Sequence, residues 1–244
     1  MPDTWEDALK AYRYPVDLSK FGGAEDYPGW FETKLQKGDL AETLKFEDRF
    51  RDMAPNHLEA WYEVVFWKLY SNPLVRNKIT SGVIDELEEG NITANILSVL
   101  CGLYMKNNAN IPQNDHELFA AFRKMMINGD GIATAATFPA FFDPQNFPMV
   151  DRQVARWARL NGTQHSYAGC GGPELVIYPG LGESVLRDGD WAFVESWYKW
   201  CRFTADRLSE LSARNWRARD VEMAVFTVQR NETSNVKLNP LYAD

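Results

Sequence analysis

Cysteine and histidine are scarce in this chain, three of each in 244 residues. Cys101, Cys170 and Cys201 form no CxxC pair and cannot supply the four thiolates of an iron–sulfur cluster. They are expected as buried free thiols. His57, His116 and His165 are too scattered to suggest a ligand set, so neither a metal nor a cofactor is expected. No apolar run approaches the ~20 residues that a membrane helix requires. The N-terminus, MPDTWEDALK, carries acidic residues where a signal peptide would be basic and then apolar. A cytoplasmic protein without a membrane partner is the expectation.

An excess of basic charge is also missing. Lys and Arg number 26 against 34 Asp and Glu, for a net charge of −8. That argues against long-range attraction to polyphosphate, although it leaves room for a local basic patch. The imbalance leans toward the first 60 positions, where thirteen acidic residues face eight basic ones. Arg202, Arg207, Arg214, Arg217 and Arg219 cluster near the other end.

What is present is a globular composition, 45% apolar and 25% charged, with nine Trp and fourteen Phe. The pattern is helical and without repeats. AETLKFEDRFRDM places Phe46, Phe50 and Met53 on one face. Pro55 and Asn56 end that helix and cap HLEAWYEVVFWKLY; LVRNKITSGVIDELEE, NITANILSVLCGLYMK and HELFAAFRKMMI follow. Pro139 is expected to kink or shorten IATAATFPAFF. DRQVARWA begins another helix. A Gly-rich loop over 161–189 holds one β-like run, ELVIY, and reads as a surface excursion or a lid. Helices over 190–230 close the chain. The expectation is one all-α domain over 1–244.

Chemistry concentrates at NGDGIATA, residues 128–135. Two glycines permit positive φ, and a helix begins at once. Free backbone N–H groups of such a turn, with the positive end of the helix, make an anion cradle that needs no lysine. A nucleic-acid phosphate is a suitable guest, bound without regard to sequence. A tight interhelical turn is the plainer reading of the same residues.

Gly129-x-Gly131-x-x-Thr134-Ala135, an apolar helix and then Phe147-Pro148-Met149-Val150-Asp151 resemble the helix-hairpin-helix DNA glycosylase superfamily. The separation of 22 residues from Gly129 to Asp151 matches that family's spacing. The likeness covers about 115–160 and extends more loosely over 61–79. Poorly characterised bacterial members add a Trp-Lys pair before the hairpin and an Arg-Asp pair in the last helix, matched here by Trp67-Lys68 and Arg219-Asp220.

The resemblance implies a helix-hairpin-helix glycosylase-like domain acting on double-stranded DNA that carries a modified or damaged base. Asp151 would be catalytic. Asn128, Gly129, Gly131, Ala133 and Thr134 would contact DNA, and Trp67, Lys68 and Phe138 would line the base pocket. Two positions depart from the pattern. Ala133 stands where bifunctional members have a lysine, so no Schiff base can form there and strand cleavage is not expected. Asn128 replaces the usual proline. Plainer roles stand beside these: Asp151 as a helix N-cap, Lys68 snorkelling its amine to solvent, and Arg214, Arg217 and Arg219 as a solvated face or phosphate contacts. A DNA-binding protein without chemistry is the second reading. A helical scaffold that docks through its tryptophans is the third.

Overall fold

The computed structural model describes residues 3–14, 40–52, 68, 132–230 and 237–241. Every regular element among them is helical. In chain order these are α1 (Asp3–Lys10), α2 (Leu40–Asp52), α3 (Ile132–Ala135), α4 (Thr137–Phe142), α5 (Arg152–Asn161), α6 (Trp191–Leu211) and α7 (Ala218–Arg230). Single 3₁₀ turns occupy Ala168–Cys170 and Asp188–Asp190. No helix among the described residues is long and apolar enough to cross a membrane. The chain divides into two compact units, Met1–Tyr12 with Asp130–Asp244, and Arg13–Gly129.

In the unit that contains the C-terminus, α7 is the central element. It packs against α1, α5 and α6. Its residues from Ala218 to Thr227 are all buried. An amphipathic helix turns one stripe inward; α7 has neighbours on several sides, so its charged residues are enclosed too.

A cluster of rings joins α1, α5 and α6. Trp197 and Trp200 stack with centroids 5.3 Å apart, and Trp157 meets Trp200 at 5.5 Å. Trp5 closes the group against Trp200 at 6.3 Å and donates its indole N–H to the Asn239 carbonyl. Each buried ring of this size contributes about 3 kcal/mol of transfer free energy. His165 lies inside the cluster, 5.0 Å from the Trp157 ring, and its Nδ1 has no hydrogen-bond partner. Burial lowers its pKa to about 4, against the opposing pull of a backbone hydrogen bond at Leu238. The imidazole is therefore neutral at pH 7.

The Gly-rich segment is a fitted strap and contains no strand. Leu175, Leu181 and Leu186 are buried. The Val176 amide donates to the Ser196 hydroxyl, where a strand would use a neighbouring backbone carbonyl. Gly182 has φ of +78°, and a Cβ there would stand 2.4 Å from the Arg156 nitrogen. Only glycine lets the strap come this close to α5. Glu183 adds an ion pair with Arg159 at 2.8 Å.

The helix expected over IATAATFPAFF is divided at Ala136, between α3 and α4. Pro139 has no N–H to donate to the Ala135 carbonyl four residues back, so the division falls one turn ahead of it. Pro139 occupies the first turn of α4, where a backbone N–H has no helical partner to lose. The cysteines also divide. Cys201 is buried, whereas Cys170 is exposed on its 3₁₀ turn; Cys101 lies outside the described residues.

In the other unit, α2 follows the predicted helix closely and buries Thr43 and Glu47, four residues apart. The Tyr14 hydroxyl donates to the Lys68 carbonyl at 3.1 Å. The helices expected between 57 and 127 lie outside the described residues, Lys68 excepted.

Candidate active site

Asp151 begins α5 as its N-cap, with extended backbone angles of −149° and −178°. One carboxylate oxygen, Oδ1, accepts the amides of Gln153 at 2.8 Å and Val154 at 3.1 Å. These are two of the four N–H groups that every helix start leaves without an internal partner. Oδ2 takes no partner among the described residues, and the side chain is part-exposed. Among the described residues no cation lies in an ion pair with it. Asp151 is thus a fixed carboxylate with one oxygen bound and one open.

The backbone that leads to it is held on both sides. Asp143 Oδ1 and Oδ2 accept the Asn146 backbone and side-chain N–H groups at 3.2 Å and 2.8 Å. That turn in turn feeds α7: the Ala218 and Arg219 amides donate to the Gln145 and Pro144 carbonyls at 3.1 Å and 3.0 Å. Further on, Phe147 meets the Tyr198 ring edge-on at 5.6 Å, and the Trp197 indole N–H donates to the Met149 carbonyl at 3.0 Å. Met149 and Val150 are buried.

Of the expected DNA contacts, Asn128, Gly129 and Gly131 lie outside the described residues, as does Trp67. Ala133 and Thr134 fall in α3, directly after the glycine pair, and Phe138 falls in α4. The Ile132 amide, the first after Gly131, donates to the Leu186 carbonyl at 3.3 Å. The strap therefore reaches from α5 to the start of α3. Lys68 is half-buried with its ammonium 5.8 Å from the Tyr14 ring centre, a cation–π contact within its own unit.

No family model, curated protein or solved structure matches the chain.

Arg214, Arg217 and Arg219 do not form a solvated face. Arg219 is fully buried, with Nη2 donating to the Tyr12 hydroxyl at 3.3 Å and an ion pair to Glu222. Asp220 is 1% exposed and pairs with Arg217 at 2.6 Å and Arg214 at 3.5 Å. It also accepts the Arg217 amide at 3.2 Å. These charges are consumed inside the fold. Among the described residues no group of His, Cys, Asp and Glu could hold a metal ion. The anchor at Trp197 had no local signal in the sequence, since Trp197 is 48 residues from Met149.

Proposed function

We propose that this chain is a monofunctional DNA glycosylase of the helix-hairpin-helix type, acting in the cytoplasm on double-stranded DNA with a modified or damaged base. The observation that carries the reading is the Asp151 carboxylate, with Oδ1 fixed by two amides and Oδ2 open. Its support in the sequence is the GxGxxTA pattern 22 residues upstream.

The target bond is out of reach inside a duplex, so the nucleotide must leave the stack. Backbone amides of the glycine turn would hold a phosphate, fixing the strand without reading its sequence. As the bond between C1′ and the base nitrogen breaks, its electron pair leaves with the base, and positive charge grows on the sugar. An ionised Asp151 stabilises that charge and orients a water toward C1′, as carboxylates do in glycoside hydrolysis. The water oxygen adds to C1′, and its proton is delivered to the departing base. Ala133 offers no amine, so the product is an abasic site in an uncut strand.

A panel of duplexes with varied modified bases, assayed for free base, tests the reading. Asp151→Asn retains the capping oxygen while removing the charge, so the variant should bind DNA and release base far more slowly than wild type. The second reading, DNA binding without chemistry, draws on the same cap: two amides are reason enough for an aspartate at this position. It predicts tight binding and no base release from any duplex, with Gly131→Val losing the binding.

A further inference from the structure

Trp197 touches the chain on both sides of Asp151. Its indole Nε1–H donates to the Met149 carbonyl, two residues before the carboxylate, at 3.0 Å. Its ring meets Trp157 of α5, six residues after it, at 6.4 Å and 66°. Trp197 is fully buried, stacked on Trp200, and carried by the longest described helix, α6. It is therefore a rigid post. The Met149 carbonyl is buried with it, and losing its donor would leave a buried acceptor unsatisfied, the situation in which a backbone segment shifts to find another partner.

We infer that Trp197 is a positioning residue that sets where the open oxygen of Asp151 points, and that it does so through the Nε1–H bond to Met149. The inference rests on the proposed role of Asp151. The amide bonds to Oδ1 limit rotation of the carboxylate but not displacement of the whole cap. The segment 147–150 controls that displacement, and Trp197 is the polar anchor nearest Asp151 on it. Placement errors near 1 Å are enough to cost rate in a site that works by fixed electrostatics.

The test uses the full chain with Trp197→Phe, which keeps an aromatic ring and removes the N–H. A second form carries 3-benzothienylalanine at 197, which retains the bicyclic volume and loses only the donor. Two readouts are taken: hydrogen exchange at the Gln153 and Val154 amides, and single-turnover base release beside duplex affinity. The expected result is faster exchange at those two amides, with release at least tenfold slower and affinity within twofold of wild type, in both forms. Unchanged exchange at Gln153 and Val154 in the benzothienyl form overturns the inference. So does faster exchange spread evenly over α5, α6 and α7, which would mark a general loss of stability. If the wild type releases no base from any duplex, the glycosylase reading falls, and the exchange readout alone still decides whether Trp197 sets the position of Asp151.

Discussion

Two aspartates stand at the starts of two helices and are treated in opposite ways. Asp220, in the first turn of α7, is enclosed: two guanidinium groups and a backbone amide meet its oxygens, and it is 1% exposed. Asp151, at the cap of α5, receives two amides on one oxygen and, among the described residues, nothing on the other. A carboxylate whose only task is structural can be closed off, as Asp220 is. One that must act on a developing cation has to keep an oxygen open and its charge uncancelled. The two sites carry the same side chain; what differs is that arginines pair with Asp220, whereas among the described residues none pairs with Asp151.

The largest effect that would sharpen this contrast lies at Asp220. Asp220→Ala removes a buried carboxylate that takes two guanidinium groups and a backbone amide, contacts to a charged group worth about 1.5–3 kcal/mol each. Chemical denaturation should show that loss. A change under about 1 kcal/mol would break the contrast, since Asp220 would then not be a closed structural pair.

An acid titration sharpens it next, once His165 is allowed for. The folded imidazole has its pKa lowered to about 4, below the ordinary 6.5. The unfolded chain binds the extra proton first, so stability is complete above pH 6.5 and falls as the pH drops through 4. The loss at pH 4 is about 3 kcal/mol. His165→Asn should flatten the slope between pH 4 and 6.5. A slope unaltered by that substitution would assign the acid limb to carboxylates instead.

The smallest effect is at the cap itself. Asp151→Ala removes both amide contacts and should lower stability by about 1 kcal/mol, while Asp151→Asn should cost less. If Asp151→Asn destabilised the fold as much as Asp220→Ala, the two aspartates would be alike after all.

How much of this was legible in the sequence depends on the range of the forces involved. The bounds of α2 and the start of α5 were close to those predicted, and α6 and α7 fall within the predicted 190–230, because apolar periodicity and caps act within one helix. Asp151 was found for the same reason, as an oxygen two and three residues from the amides it accepts. The fate of Arg219 and Asp220 was not legible. A charged pair reads identically in a solvated helix and in one enclosed by three neighbours. ELVIY reads as a β-like run, yet Leu175 lies against Gly162 at the end of α5 and the Val176 amide goes to Ser196. The Trp197 anchor depends on a contact across 48 residues, which no local pattern encodes. The hairpin residues Asn128, Gly129 and Gly131 lie outside the described residues, so their part rests on sequence alone.

The most direct measurement is single-turnover release of free base by wild type and Asp151→Asn, on a duplex the wild type cleaves, with affinity measured on the same duplex. The account predicts that the variant's rate falls by roughly 10²–10³-fold, with affinity within twofold. Release by Asp151→Asn at the wild-type rate would contradict it.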